Sequence, residues 1–296
     1  MTEEAQGLAL PQLSASLARL VDGVSKSVVE IRSGKRALAS GFVWRPELVV
    51  TADEALGDYE SATVALDGHT FEAAVVGRDP STDVAVLRVS GLGAAALPLA
   101  VGFAPKTGEI VLAAARHESN ISARLGIVSM TGGPWLSMRG GQIDSLIRLD
   151  LTLDRWSEGG PVIDSEGRAF GMAVRGVRRS VLAIPAATIE RVAARILEKG
   201  SVKPGYLGLG LHPVRLHGAT GTGLMVLGVA PGSPGEVAGV LQGDIVTAWN
   251  GEPVAGTRDI LRRLGPDSAG QSVELSLSRG GQPSSVNCVI GTRPGS

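Results

Sequence analysis

The chain has 296 residues, room for two or three folded units, with 44% hydrophobic and 19% charged residues. Its net charge of −1 excludes a global field that would draw in nucleic acid or an anionic membrane. A single cysteine, Cys288, excludes an intrachain disulfide, and no stretch reaches the roughly 18 consecutive apolar residues of a membrane-spanning helix.

The N-terminal run MTEEAQGLALPQ carries two early acids, no basic segment and no apolar core. It is expected to lack a signal peptide, which places the chain in the cytosol, or in the periplasm if it is a processed form. Residues 8–26 place Leu10, Leu13, Leu17, Leu20 and Val21 at helical spacing, so residues 1–26 read as a helical leader. From 27 to about 185, short apolar runs alternate with turn residues: 27–32, 41–44, 48–51, 62–66, 73–76, 84–89, 110–114, 123–128, 146–149 and 169–174. That spacing predicts an all-β barrel or sandwich, with hairpin turns at Asp67–Gly68 and Glu166–Gly167. Residues 186–198 read as one helix, with Ile189, Val192, Ala193 and Ile196 on one face and Gly200 as its stop. A connector at 199–204 leads to a second unit, 205–293, with strands near 207–211, 223–229, 245–249, 273–279 and 287–290 and a helix near 257–264. This second unit reads as a small mixed barrel.

Six segments, in order, resemble the HtrA/Deg family of trypsin-like serine proteases. They are DPSTDVAVL at 79–87, RLD at 148–150 leading to EGGP at 158–161, VLAIP at 181–185, GYLGL at 205–209, PGSP at 231–234, and Gly239 with GDIV at 243–246 and Asn250–Gly251. The resemblance implies a mainly β fold: a trypsin-like double six-stranded β-barrel over 27–198, followed by a PDZ domain over 205–293.

A serine protease needs a hydroxyl nucleophile, an imidazole base and a carboxylate that holds the imidazole. By the family pattern, the histidine position, three residues after Thr51, holds Glu54. The serine position before Gly159-Gly160-Pro161 holds Glu158, and Asp83 alone of the triad remains. Trp156 stands where the family has the glycine of the oxyanion hole. Ser157 lies one residue from the nucleophile position, and a one-residue slip on a tight turn redirects a side chain. Of the four histidines, His69, His117, His212 and His217, only His117 lies in a suitable barrel loop, and no spacing supports it as a base.

Glu54, Asp83 and Glu158 are therefore expected to converge. Three close carboxylates need an offset. Arginine pairing through Arg155, Arg175, Arg178 or Arg179 is the first expectation, a hard cation the second, and protonation of one acid the third. If an arginine pairs, Glu158→Gln is expected to destabilise the barrel. No cofactor is expected.

The PDZ resemblance implies that Tyr206, Leu207, Gly208 and Leu209 form the loop that holds a peptide's terminal carboxylate. It also implies that Ile260 and Leu264 receive an apolar terminal side chain. The leading expectation is a non-proteolytic protein binding peptide C-termini or unfolded segments. The alternative is a serine endopeptidase or a carboxylate-based hydrolase of irregular mechanism. The family trimer rests on N-terminal aromatic residues, and residues 1–41 have none, so a monomer or another dimer is expected.

Overall fold

The computed structural model describes residues 10–34, 36–57, 59, 61–200, 205–215, 222–254, 256–265 and 268–292. The chain divides into two compact units: Met1–Trp135 with Ile143–Ser201, and Leu136–Gln142 with Val202–Ser296.

In the first unit, α1 (Leu10–Ser25) buries Val24 and half-buries Leu13, Leu17, Leu20 and Val21. Six strands then close a barrel: β1 (Val28–Ser33), β2 (Arg36–Arg45), β3 (Leu48–Thr51), β4 (Ser61–Leu66), β5 (His69–Asp79) and β6 (Val84–Arg88). They run in the order β1-β2-β3-β6-β5-β4, and Ile31 opposite Val64 closes the circle. The turn Asp67–Gly68 joins Leu66 to His69, as its sequence predicts. β3 is buried along its whole length, so it reads as a continuous apolar run rather than an alternating one. The short helix α2 (Asp53–Leu56) follows β3 directly.

A second barrel follows the same plan. Its strands are β7 (Ile110–His117), β8 (Asn120–Gly132), β11 (Leu146–Asp150), β12 (Pro161–Ile163), β13 (Ala169–Arg175) and β14 (Val181–Pro185), closed as β11-β14-β13-β12-β7-β8. Short strands β9 (Trp135–Leu136) and β10 (Gln142–Ile143) pair in the connection between β8 and β11. The barrel interior holds Val111, Val128, Ile147, Leu149, Phe170 and Val181. Helix α3 (Ala186–Lys199) buries the predicted face, Ile189, Val192, Ala193 and Ile196. Each such aliphatic side chain contributes about 1.5–3 kcal/mol on full burial, alanine less. The N–H of Gly200 donates to the Ile196 carbonyl, ending the helix where expected.

The second unit is an antiparallel sheet in the order β16 (Leu209–Arg215), β17 (Thr222–Val229), β18 (Ile245–Trp249), β20 (Ser272–Arg279), β21 (Gln282–Val289). β19 (Glu252–Pro253) pairs with β18, and β15 (Gly205–Tyr206) with β22 (Gly291–Thr292). The expected mixed barrel is corrected. Among the described residues the strand pairs are antiparallel and the sheet is open, with β16 and β21 at its ends. One helix, α5 (Thr257–Arg263), matches expectation, and a second, α4 (Pro234–Val237), was not anticipated. Its signal was present in the sequence. Ser233 caps the Glu236 amide, Pro234 begins the helix, and Glu236 reaches back to the Gly232 amide.

Candidate functional site

β3 ends at Thr51, whose hydroxyl donates to the Ser40 carbonyl at 2.7 Å, and α2 then presents Glu54 to solvent. Across from it, the turn before β6 is tied by Asp79, which accepts the hydroxyls of Ser81 and Thr82. This turn leaves Asp83 at φ 61°, a left-handed conformation that aspartate tolerates better than most residues. Asp83 Oδ1 accepts the Glu54 amide N–H at 2.7 Å, and its carbonyl accepts the Asp53 N–H. Burial is the main cause that pushes the Asp83 carboxyl up to about 7. The Glu54 amide opposes that shift, and the carboxylates of Asp53, Glu158 and Glu54 add to it. Arg78 engages Asp53 at 2.6 Å.

The third acid sits on the turn between the barrels. Arg155–Ser157 form one 3-10 turn, and Glu158 follows it with only 3% of its surface exposed. Its carboxylate Oε1 accepts the Nε–H of Arg175 at the end of β13. Burial raises the Glu158 carboxyl, and Arg175 opposes without cancelling it. Glu54 raises it further and Arg155 lowers it. The backbone here is closely confined. A Cβ on Gly159, at φ 86°, would lie 2.3 Å from the Ser40 carbonyl oxygen and 2.4 Å from the Thr51 hydroxyl.

Glu54, Asp83 and Glu158 thus share one electrostatic neighbourhood. Of the four candidate arginines, Arg175 pairs directly and Arg155 acts at longer range. Arg179 is exposed, and the side chain of Arg178 lies outside the described residues. Among the described residues, no group of three or more His, Cys, Asp or Glu side chains is arranged to hold a metal. Ser157 is buried. His117 ends β7 rather than lying in a loop, and its ring stacks on Trp156 with centroids 4.6 Å apart. Sequence spacing alone missed this contact, since nothing in the sequence connects positions 117 and 156.

The second unit holds a different kind of site. Tyr206 is held in β15, and the Leu207 carbonyl accepts the Gly235 N–H. Gly208, at φ 75°, gives its carbonyl to the Ala230 N–H. The amide N–H groups of Leu207 and Gly208 have no hydrogen-bond partner among the described residues. Directly after them runs β16, the sheet edge, with Leu209 and Leu211 half-buried against the core. Ile260 and Leu264 lie in that core beside Leu207, Ile260 being 3% exposed.

Residues 39–172 match the trypsin-like peptidase domain family, and residues 205–290 match the PDZ domain family. The chain is therefore a trypsin-like peptidase fold joined to one PDZ domain. Within that class its sequence is similar to proteins named DegP-like. It is 32% identical, over 90% of its length, to a "Probable periplasmic serine endoprotease DegP-like" of Rhizobium meliloti (strain 1021). It is 30% identical, over 87% of its length, to the protein of the same name from Brucella suis biovar 1 (strain 1330). It covers 55% and 53% of those proteins, so it spans about half their length. The fold is shared with the HtrA-type protease AlgW solved with a decapeptide: TM-score 0.71, 21% identity, 94% of this chain and 98% of that one. It is shared equally with the serine endoprotease from Yersinia pestis: TM-score 0.73, 24% identity, the same coverage.

The cytosolic location expected from the N-terminal sequence is corrected by these relatives, which are named periplasmic. The absence of a disulfide carried no weight against the periplasm, because proteins without disulfides occur in both compartments.

Proposed function

We propose that this chain is a non-proteolytic member of its family. On this reading it binds extended peptides by their C-termini through the PDZ unit, while the double barrel serves as a scaffold. One observation carries it: the nucleophile position holds Glu158, buried and ion-paired to Arg175. A carboxylate held by a guanidinium is a poor nucleophile toward an amide. The base position offers a carboxylate, exposed Glu54, where an imidazole would be needed to take a proton from a hydroxyl. The PDZ loop supports the binding half. The amides of Leu207 and Gly208, without a hydrogen-bond partner among the described residues, suit a terminal carboxylate, and edge strand β16 suits addition of one more strand. Ile260 and Leu264 would then form the floor beneath the peptide's last side chain.

The relatives' names favour a second reading, a serine endopeptidase, in which Ser157 or an acid pair built on Asp83 would do the chemistry. Digestion of unfolded casein by the purified full chain separates the two. The proposal expects no cleavage, together with saturable binding of a fluorescent peptide with a free apolar C-terminus. Cleavage that survives purification and disappears in Ser157→Ala establishes the endopeptidase instead.

A further inference from the structure

His117 lies between a buried acid and the turn that carries Glu158. Its Nδ1 is 3.3 Å from Oε1 of Glu30 on β1. Glu30 is 1% exposed, and its other oxygen, Oε2, has no hydrogen-bond partner among the described residues. On its other side the imidazole lies nearly flat on the Trp156 indole, the two planes 16° apart. Trp156 belongs to the 3-10 turn that ends one residue before Glu158. The turn is also fastened to β2, where the Ser40 hydroxyl donates to the Trp156 carbonyl at 3.0 Å and the Ser40 amide to the Glu158 carbonyl at 2.9 Å.

A buried carboxylate with an unsatisfied oxygen is costly unless a cation stands beside it. We propose that Glu30, His117 and Trp156 form a proton-dependent clamp, with His117 as the positioning residue that holds the Arg155–Ser157 turn and so the occupant of position 158. Charged, the imidazolium gives Glu30 a charge-assisted hydrogen bond and places a cation on the Trp156 face. Neutral, it gives at most one ordinary hydrogen bond and loses the cation–π attraction. The clamp is therefore tighter with the imidazole charged than with it neutral.

The other charged groups nearby are already committed or flank the site. Arg116, the residue before His117, donates to the carbonyls of Val28, Ser25 and Ser119 and pairs with Asp67. Arg32 lies two residues along β1. Glu118 follows in the β7–β8 turn, Arg155 lies on the clamped turn, and Glu158 is held by Arg175. The clamp concerns the placement of the turn, so it stands whether or not the cleft cuts peptides.

The test is tryptophan emission of the full chain from about pH 8 to about pH 5.5, a range that spans histidine titration. Subtracting the emission of Trp156→Phe isolates the Trp156 signal from Trp44, Trp135 and Trp249. An imidazolium in ring contact quenches indole, so the Trp156 signal should fall severalfold on acidification. It should stay flat in His117→Gln and respond more weakly in Glu30→Gln. The same pH response in His117→Gln as in the parent overturns the clamp. If that variant does not fold, His117→Phe keeps the ring stack without the charge, and an unchanged response there overturns it equally. Amide exchange at residues 155–158 reads the positioning itself. Protection should rise on acidification in the parent beyond the intrinsic rate change, and not in the variant. Equal protection in both removes the positioning role.

Discussion

The cleft of the double barrel and the loop of the PDZ domain are both places where a peptide would lie, but they are made of different atoms. On the proposed function, the cleft depends on side chains at three positions, for which the chain offers Glu54, Asp83 and Glu158. The PDZ loop depends on backbone: two amides at Leu207 and Gly208, and the open edge of β16. A side-chain site changes its chemistry with each substitution. A backbone site keeps it for as long as the loop keeps its shape. On the proposed reading, the same fold carries one site whose chemistry has been rewritten and one whose chemistry is intact.

The shape of both sites rests on a glycine, and the largest expected effects are there. A Cβ on Gly208 would lie 2.1 Å from the Ser233 Cβ, and one on Gly159 would press on Ser40 and Thr51 at 2.3 and 2.4 Å. Both residues have positive φ. Gly159→Ala and Gly208→Ala should each destabilise by about 3 kcal/mol or more, the first in the barrel unit and the second in the PDZ unit. Urea unfolding followed by unit-specific tryptophans, Trp44 and Trp249, checks this. A change of less than about 1 kcal/mol in either would show that the local backbone relaxes freely.

The next effect belongs to the cleft alone. Arg175→Ala removes the partner of a buried carboxylate. At neutral pH it should cost about 2 kcal/mol, below the usual penalty for a fully buried pair because Arg175 is half exposed. Lowering the pH should restore most of it as Glu158 takes up a proton. Glu158→Gln should do little or stabilise slightly, by less than about 1 kcal/mol. This reverses the sign expected from sequence for an arginine-paired Glu158. The pairing is there, but burial costs the carboxylate more than the solvent-facing guanidinium returns, so the Glu158 carboxyl is raised despite its partner. Thermal unfolding of the two variants at two pH values decides it. A larger loss in Glu158→Gln than in Arg175→Ala would contradict this account.

Two carboxylates sharpen the contrast through pH. Asp83 is raised to about 7 in the barrel unit, chiefly by burial. A raised acid favours the folded state while protonated, so its contribution is present below the unfolded value near 4 and is lost as pH rises toward 7. Asp244 in the PDZ unit is lowered, chiefly by hydrogen bonds from Arg279 at 2.7–2.8 Å. Its contribution is present above the unfolded value and is lost as pH falls through the folded one. Asp83→Asn keeps an acceptor for the Glu54 amide, so it should flatten the barrel's pH dependence and stabilise it near neutrality. Asp244→Asn should destabilise the PDZ unit there. Stability profiles of the two variants with the same sign of change would contradict the assignment.

The smallest effect concerns the edge strand. Leu209→Asp puts a charge beside the proposed carboxylate loop and should weaken a C-terminal peptide by about tenfold, or 1.4 kcal/mol. Fluorescence polarisation measures it. Equal binding of the parent and the variant would move the groove elsewhere.

Much of this was legible in the sequence, for identifiable reasons. Helix α3 was readable from its one apolar face and Gly200, and the hairpin at 67–68 from its Asp–Gly pair. The three acids were placed by motif spacing, and Arg175 was among the four arginines expected to meet them. What was not legible depends on burial and on distance across the fold. Nothing in the sequence distinguishes exposed Arg175 from a buried one, so the sequence alone cannot weigh the pairing of Glu158 against its burial. Nothing in the sequence connects Glu30 to His117, whose contact depends on how two barrels pack, or His117 to Trp156, which are brought together only when the second barrel closes. The open PDZ sheet reads like a barrel because an edge strand with one covered face carries the same alternation as a closed one.

On the proposed function, the cleft takes up no serine-directed reagent while the PDZ loop binds peptide. Intact-mass measurement after exposure to a fluorophosphonate, on full chain shown in the same sample to bind a peptide with a free C-terminus, tests it most directly. Peptide binding with no added mass is expected. A stoichiometric adduct on Ser157, abolished by Ser157→Ala, would contradict it.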